Sequence, residues 1–508
     1  MKNSAVISIR RAAAPWCNGW GNPVSGNGFV GRLGFLILVW WAFWSGPAVG
    51  SAAERWRFIM TCDSRGGAST GINEQIVAEL VQEIQRWNAD FVLFPGDLVY
   101  GARIGAQRFE SQLRSWVNAM EPIYDAGIAV YVCRGNHEVG DMWDAEPGQP
   151  PPLDNYAIRW LNVFGNDDYP GPRLPDNGPA DEKHMSYSVV HKNALIVAVD
   201  EYAGVKHQLA HYVNQPWLDS LLEKNTKPHV FVFGHEPAFQ ALHPDCLAYY
   251  PDRRDAFWHS LKMAGARVYL CGHDHFYDHA WVDDGDGNPG NDIHQLIVGS
   301  AGAYPYMWFP PYDGNNSSFN VTQVSHAESY GYVVVEVNDL NVTMTWMQRQ
   351  NNDLQEPGVY EAKDVWSYKV APGPVVLQPN GGERVSGGRP YTVRWRTVDG
   401  LEVNRVVIEY SLDGGESWAT ADEVNNTGAY EWTAPSVNSN TCLVRVRDAR
   451  DGTISDAGDG LFSIVTCQTK LTADLNGDCR VDFADLAILA GEWLAQGNPS
   501  DPPSNPQK

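Results

Sequence analysis

The chain between residues 57 and 350 alternates short apolar runs with segments of helical periodicity. Runs of buried-strand type include 58–62 (FIMTC), 91–94 (FVLF) and 129–133 (AVYVC). Between the first two runs, apolar side chains from Ile72 to Trp87 recur at the three- and four-residue spacing of an amphipathic helix. Strands that alternate with helices predict an α/β fold whose sheets are covered by helices.

A different pattern follows further along the chain. Residues 374–466 contain short alternating strands, such as 391–395 (YTVRW) and 406–410 (VVIEY), with turn signals such as Asn380-Gly381 between them. Several short strands at this spacing predict an antiparallel β-sandwich. The segment resembles the immunoglobulin-like or fibronectin-like modules attached to exported bacterial enzymes. Residues 353–373 are predicted to be a linker.

The N-terminus has the three parts of a secretory signal. A basic segment precedes the apolar run 33–44 (LGFLILVWWAFW), and small residues follow it. We therefore predict that residues 1–53 are a signal peptide and that the protein is secreted, periplasmic or on the cell surface. The alternative is an uncleaved membrane anchor, because the uncharged stretch 33–53 is just long enough to span a bilayer.

Length and charge limit the function further. A chain of 508 residues suggests two to four domains, and its hydrophobic content of 44% is ordinary for a globular protein. The net charge of −24 repels nucleic-acid phosphates, so we expect no nucleic-acid-binding scaffold. An anionic substrate would need a local positive centre, and bound metal ions are good candidates for it.

Side chains of metal-ligating type follow five of the predicted strands. They are Asp63, Asp97, Asn136 with His137, His235, and His273 with His275. Groups just past the carboxyl ends of strands converge on one crevice of an α/β sheet. A single Asp or His at such a place is usually a cap or a loop residue. Five strand ends with the same chemistry are not expected by chance, so we predict one shared metal site.

The order and spacing of these residues resemble the calcineurin-like metallophosphoesterases. The motifs read Asp63-Ser64-Arg65, Gly96-Asp97, Gly135-Asn136-His137-Glu138, Gly234-His235 and Gly272-His273-Asp274-His275. The resemblance covers residues 57 to about 305 and implies a four-layer αββα sandwich, with the domain over 54–352. It also implies a hydrolase that acts on phosphate mono- or diesters, either an acid phosphatase or a phosphodiesterase.

The first motif departs from the usual Asp-x-His, since Arg65 stands where a histidine ligand is expected. In compensation, Gly96-Asp97-Leu98-Val99-Tyr100 resembles the GDxxY motif of purple acid phosphatases. That resemblance implies a first metal site of Asp63, Asp97, Tyr100 and His275, and a second of Asp97, Asn136, His235 and His273. Those enzymes usually have glycine at the position of Arg65, so the alternative is that Tyr100 is a packed core aromatic.

Two transition-metal ions follow from this resemblance. Hard oxygen ligands at the first site suit ferric iron, and the two histidines of the second suit Zn, Mn or Fe(II). A hydroxide between two cations about 4 Å apart would attack phosphorus. His137 would hydrogen-bond the phosphate or protonate the leaving oxygen. We hypothesise that Arg65 grips a phosphate oxygen bidentately; a surface salt bridge is the alternative.

Residues 470–497 carry a calcium-binding pattern. Asp474, Asn476, Asp478, Asp482 and Asp485 occupy EF-hand loop positions 1, 3, 5, 9 and 12, and Arg480 lies in the same loop. With an amphipathic helix after it, the motif resembles one dockerin repeat, which would bind Ca²⁺ and a cohesin-like or cell-surface partner. Dockerins normally carry two repeats, and an Asp-rich turn without an ion is the alternative. Residues 498–508 are predicted to be disordered.

An exported dinuclear-metal phosphoesterase is thus the function that the sequence favours. The first alternative is a catalytically inactive scaffold in an extracellular binding or adhesion protein. The complete ligand set and His137 favour the enzyme, because inactive relatives usually lose ligands. The second alternative is a carbohydrate-binding role, which needs an exposed aromatic row that residues 374–466 do not display.

Overall fold

The computed structural model describes residues 54–492 with several gaps. The gaps are 68, 102–103, 140–155, 166–172, 203–209, 308–311, 313–318, 372, 399–402, 467–471, 476–479 and 482. The predicted signal peptide (1–53) and C-terminal tail (498–508) lie outside the described residues. Within the described ranges, no helix is both long enough and apolar enough to cross a bilayer.

Two sheets and five α-helices are described in the first part of the chain, outside the gaps given above. Its strands are β1 Arg55–Met60, β2 Phe91–Pro95, β3 Ala129–Cys133, β4 Tyr187–His191, β5 Ala194–Ala198, β6 His229–Phe233, β7 Val268–Cys271, β8 Tyr277–Asp283, β9 Ile293–Val298, β10 Asn320–Ala327, β11 Gly331–Asn338, β12 Asn341–Arg349 and β13 Tyr360–Lys369. Its helices are α1 Glu74–Trp87, α2 Ala106–Asp125, α3 Tyr156–Phe164, α4 Gln215–Glu223 and α5 Pro251–Met263, with short 3₁₀ turns at Asn136–Glu138 and Leu247–Tyr249.

The strand order is β13-β12-β11-β1-β2-β3 in one sheet and β10-β8-β9-β7-β6-β5-β4 in the other. Strands β1, β2 and β3 are parallel, and so are β5, β6, β7 and β9. Every residue of β2, β5 and β6 is buried, as expected for parallel strands that are covered on both faces. The carboxyl ends of these parallel strands are therefore free to carry a site.

Aromatic contacts show how the layers are stacked. The rings of Phe58 in β1 and Phe231 in β6 lie 5.0 Å apart, which places the two sheets face to face. On the first sheet, Trp116 of α2 packs 5.2 Å from Phe94. On the second sheet, Phe257 of α5 packs 5.3 Å from Tyr269. The order of layers is helix, sheet, sheet and helix.

The helix predicted after the first strand is confirmed, with its first residue at Glu74. The Asn73 side chain accepts a hydrogen bond from the backbone N–H of Ile76 at 3.4 Å and caps the N-terminus. Asn88 ends the helix in the left-handed conformation with φ 50°. The residues that the helix buries are Ile76, Val77, Leu80, Val81 and Ile84, the same apolar stripe that predicted it.

The linker predicted over residues 353–373 is wrong in its central part, because β13 occupies Tyr360–Lys369. This strand pairs antiparallel with β12 along the edge of the first sheet. It exposes Glu361, Lys363 and Lys369, and edge strands often carry such charges because they limit pairing with other chains. Because the strand is highly charged, a search for apolar runs in the sequence does not predict it.

A further β-rich part follows, with strands β14 Pro374–Gln378, β15 Arg384–Ser386, β16 Pro390–Thr397, β17 Arg405–Ser411, β18 Ala419–Asn425, β19 Ala429–Thr433, β20 Ser439–Asp448, β21 Ser455–Ala457 and β22 Phe462–Val465. One sheet has the order β14-β16-β19, and the other runs β15-β22-β20-β17-β18 with β21 beside β20. Trp395, Trp432 and Phe462 belong to the core that the two sheets share. The resemblance to immunoglobulin-like modules stays a prediction.

The calcium motif is described only in part. Helix α6 spans Phe483–Glu492. The Asp485 carboxylate is buried and accepts a hydrogen bond from the backbone N–H of Leu475 at 2.6 Å. Asp474 and Arg480 are also described, whereas the predicted ligands Asn476, Asp478 and Asp482 lie outside the described residues.

Candidate metal centre

Six of the seven predicted ligand residues stand two to four positions after the last residue of a parallel strand. Three of them follow β1, β2 and β3 in the first sheet, and three follow β6 and β7 in the second. Asp63, Asp97 and His273 have positive φ values of 62°, 47° and 72°. Non-glycine residues hold this conformation only when the surrounding structure enforces it, at a cost of about 1–3 kcal/mol each. Such strain concentrates at functional sites.

Four predicted ligands converge at the second metal position. The His235 Nε2 atom lies 3.1 Å from Asn136 Oδ1 and 3.5 Å from Asp97 Oδ1. The Nδ1 atom of His273 lies 3.3 Å from the same His235 nitrogen. His235 and Asp97 are fully buried, and the His273 side chain is 5% exposed. The structure thus brings these four side chains to one point.

The chemistry of this point calls for a cation. His235 Nδ1 lies 2.9 Å from the Pro95 carbonyl, so it carries the proton and leaves Nε2 as a lone pair. His273 Nε2 faces Asp245 Oδ1 at 3.6 Å, which leaves its Nδ1 directed at the centre. Lone pairs of two nitrogens and two oxygens then meet without a donor among them. Either a proton or a metal ion must lie there.

The pKa values agree with this need for positive charge. Burial lowers the pKa of His273, but the Asp245 carboxylate 3.6 Å away and the charge of Asp274 outweigh it and raise the pKa to about 10. Burial lowers the pKa of His235 to about 4 despite the nearby Asp97. In the metal-free protein, a proton on His273 therefore supplies the positive charge. A metal ion would displace that proton.

The first metal position gathers three of its four predicted ligands. Asp63, Asp97 and His275 each offer one ligand atom, and these atoms lie within 4.8 Å of one another. Asp63 Oδ2 accepts a hydrogen bond from the backbone N–H of His273 at 3.0 Å, whereas its buried Oδ1 has no hydrogen-bond partner in the part of the chain that the structure describes. Burial and the charge of Asp97 raise the pKa of Asp63 to about 8. An orphaned carboxylate oxygen of this kind fits a cation.

Arg65 reaches into this first position. Its Nε atom lies 3.2 Å from His275 Nε2 and 3.5 Å from Asp97 Oδ2, and its Nη2 donates to the Tyr306 hydroxyl at 3.0 Å. The Arg65 side chain is 23% exposed, so the surface salt bridge considered from the sequence is not what the structure shows. The guanidinium lies among the residues predicted to bind the first ion.

Tyr100 is not brought into the cluster. It is 37% exposed, and its ring lies 6.1 Å from that of His137. Among the described residues, its hydroxyl makes no hydrogen bond with Asp63, Asp97 or His275. With this exposure it is not a packed core aromatic either, so neither interpretation of Tyr100 from the sequence describes its place.

His137 lies at the edge of the centre. Its backbone N–H donates to Asp97 Oδ1 at 3.0 Å, and its ring Nδ1 contacts the Tyr100 carbonyl. The Nε2 atom faces Asp97 Oδ2 at 3.8 Å, with the side chain 14% exposed. Burial lowers the pKa of His137 more than the nearby Asp97 raises it. The His137 ring therefore lies beside the predicted ligands, but it is not one of the side chains that meet at the second metal position.

Sequence reasoning missed several residues that support the centre. Glu138 is fully buried, and its Oε2 accepts backbone N–H groups of Asp97 and Gly135, both at 2.8 Å. The His243 ring packs 5.2 Å from that of His273 and contacts the Asp274 carboxylate. Glu138 was visible as the last residue of the GNHE motif. His243 and Tyr306 come from loops, and their sequence context gave no signal.

The cysteines near the motifs are core residues. Burial, followed by the charge of Asp63, raises the pKa of the Cys62 thiol well above its usual value. Cys62 Sγ donates to the Pro95 carbonyl at 2.8 Å, as expected of a neutral thiol. Cys133 and Cys271 are also fully buried with raised pKa values. Thiolate ligation is therefore not favoured.

Comparisons with known proteins agree with this geometry. Residues 71–277 match the family model of the calcineurin-like phosphoesterases, a range that includes every predicted ligand except Asp63. No curated protein matches the chain. A solved structure of purple acid phosphatase PPD1 from yellow lupin (Lupinus luteus) seeds is similar at 15% identity and a TM-score of 0.46, over 63% of this chain and 54% of that one.

The structure of PhoD is similar at 13% identity and a TM-score of 0.46, over 64% of this chain and 71% of that one. This chain spans only about half the length of the lupin enzyme. At these identities and scores, neither structure informs the chemistry of the centre. The family model does identify the part of the chain that carries the motifs, and residues 71–277 form a calcineurin-like metallophosphoesterase domain.

Proposed function

We propose that this domain hydrolyses phosphate esters, either monoesters or diesters, with the help of bound transition metal. The observation that carries the proposal is the convergence of lone pairs from Asp97, Asn136, His235 and His273. Two nitrogen and two oxygen ligands suit Zn²⁺, Mn²⁺ or Fe²⁺. When bound, such an ion supplies positive charge for the phosphoryl group and activates water as the nucleophile.

The protein's own groups would position the ester and move its protons. The acidic chain has a buried cluster of carboxylates, so the phosphate must be drawn in by cations at the centre itself. His137 Nδ1 donates to the Tyr100 carbonyl, and the other ring nitrogen faces the centre. We assign to His137 Nε2 the transfer of a proton, which it first takes up from solvent, to the leaving oxygen.

The fit to metal differs between the two positions. The second position has four converging ligands and, apart from the proton on His273, no cation among the described residues. The first has Asp63, Asp97 and His275, together with the guanidinium of Arg65. Without the Tyr100 phenolate, hard ligands that would favour ferric iron are fewer, so Zn²⁺ or Mn²⁺ suits the centre better than a ferric–tyrosinate pair.

Further parts of the proposal rest on sequence patterns. The basic, apolar and small-residue segments before residue 54 support export, in which case the centre acts on esters outside the cytoplasm. The spacing of Asp474 to Asp485 supports a bound Ca²⁺ and an attachment role for residues 470–497, through a cohesin-like or cell-surface partner.

Hydrolysis of matched chromogenic esters tests the proposal. The full chain loaded with Zn²⁺ or Mn²⁺ should release p-nitrophenol from p-nitrophenyl phosphate or bis(p-nitrophenyl) phosphate. Asp97→Asn should lower kcat/KM by at least about 100-fold, since it removes a ligand and its charge. Asp125→Asn, at an exposed carboxylate at the end of α2, is the matched control. A metal-loaded chain without turnover of either ester would favour the inactive scaffold.

A further inference from the structure

We infer that the guanidinium of Arg65 is a built-in cation that replaces the first metal ion, so that the centre holds one transition-metal ion. This inference rests on the proposed metal binding at the second position. It changes the expected composition of the centre, because the motif resemblance implies two ions. Four observations on the residues around Arg65 support it.

The first observation is that Arg65 uses the lone pair that a metal ion would need. His275 Nδ1 lies 3.2 Å from the Tyr304 carbonyl, so this nitrogen carries the ring proton. Nε2 of His275 is then the only free lone pair of the ring. Arg65 Nε and Nη2 lie 3.2 and 3.1 Å from it. An ion bound to His275 would have to break these contacts.

The second observation is that Arg65 is held in place from two sides. Its Nη2 donates to the Tyr306 hydroxyl, and the Tyr306 ring stacks on His275 at 4.1 Å and 19°. The Tyr306 backbone N–H also donates to the His275 carbonyl at 2.9 Å. The backbone of Arg65 forms an antiparallel bridge with Ile72. The guanidinium is therefore fixed at the first position by its neighbours.

The third observation concerns charge. Asp63 and Asp97 are both buried, and unpaired carboxylates in such surroundings are costly. A guanidinium remains charged at every pH at which the protein is folded. With Arg65 Nε 3.5 Å from Asp97 Oδ2, the chain itself compensates one of the two carboxylate charges. Two carboxylates together with Arg65 then leave less negative charge to attract a second ion.

The fourth observation concerns Arg65 Nη1, the guanidinium nitrogen that the contacts above do not use. Arg65 Nη1 makes no hydrogen bond with any described residue, although Nε and Nη2 are both used. The side chain is 23% exposed, so solvent and ligands reach it. A guanidinium cannot activate water as a metal ion does, but Nη1 can donate to a phosphoryl oxygen. The inferred role of Arg65 is therefore to bind phosphate beside a single ion.

Counting the metal tests this inference. The full chain is saturated with Zn²⁺ or Mn²⁺, freed of excess ion and analysed by inductively coupled plasma mass spectrometry. We expect one transition-metal ion per chain in the wild type. Arg65→His, which recreates the Asp-x-His motif, should raise the count to two. Arg114→His, at an arginine whose side chain is 57% exposed on α2, should leave the count at one.

Electron paramagnetic resonance of the Mn²⁺-loaded proteins gives a second readout. The wild type should show the six-line signal of an isolated ion, and Arg65→His the broadened signal of a coupled pair. Two ions in the wild type, or one ion in a folded Arg65→His variant, would overturn the inference. If Arg65→His does not fold, the wild-type count and spectrum still decide. A chain with no ion refutes this inference and the proposed metal site together, whereas one ion without hydrolysis refutes only the proposed function.

Discussion

The buried ion pair between Arg134 and Asp200 should be the strongest single link between the two sheets near the centre. Arg134 follows β3 of the first sheet, and Asp200 follows β5 of the second. The guanidinium makes two hydrogen bonds to the carboxylate, at 2.9 and 2.6 Å, and the side chains are 1% and 0% exposed. Since Arg134 directly precedes the turn formed by the GNHE motif, the ion pair also fixes the position of the predicted ligand Asn136.

Arg134→Met would leave the Asp200 carboxylate buried without its bidentate partner. Removal of one member of a buried ion pair costs about 3–5 kcal/mol of unfolding free energy, because the remaining charge is uncompensated. Arg134→Met combined with Asp200→Asn should recover part of this loss. As the matched control, Arg114→Met breaks the pair with Glu110 on the surface of α2, where about 0–1 kcal/mol is expected.

Urea denaturation at pH 7 checks the reasoning. A loss below about 1 kcal/mol at pH 7, or a double variant as unstable as the single one, would refute the account.

Two other variants test groups that the sequence did not assign. Glu138→Gln should lower the affinity for metal by about 10–100-fold in a chelator competition. The fold remains, but one acceptor oxygen that holds the backbone of Asp97 and Gly135 is lost. An unchanged affinity would contradict a positioning role for Glu138. In the β-rich part, burial raises the pKa of Asp456 to about 7. Ionisation of Asp456 should therefore lower the free energy of unfolding as the pH rises from about 4 to 7. Asp456→Asn should reduce this pH dependence, measured as the difference between the urea midpoints at pH 5 and pH 8. An equal difference in both proteins would contradict the role of Asp456.

The sequence predicted those features that depend on local periodicity and on strand ends. The apolar stripe that α1 buries has helical spacing, and the stretches before Asp63, Asp97 and Asn136 are continuous apolar runs. The carboxyl ends of parallel strands lie at one edge of a sheet, so residues that directly follow successive strands in the sequence become neighbours in space. The six ligands proposed from the motifs are brought together for this reason.

Other features depend on contacts between distant parts of the chain. Tyr306 and His243 come from loops, and only the folded chain places Tyr306 on His275 and His243 beside His273. Strand β13 carries lysine and glutamate on its exposed face, so its pairing with β12 is not visible as an apolar run. In these cases tertiary packing decides the position, and local sequence carries little information about it.

The two departures from the family motifs have one physical explanation. The sequence suggested that Tyr100 compensates for the histidine replaced by Arg65, because a phenolate can take the place of an imidazole ligand. The structure leaves Tyr100 37% exposed and places the Arg65 guanidinium against His275 and Asp97. A residue that supplies a fixed positive charge removes the need for a second cation, and with it the need for another anionic ligand. Arg65 is therefore better understood as a replacement for the ion than as the loss of one of its ligands.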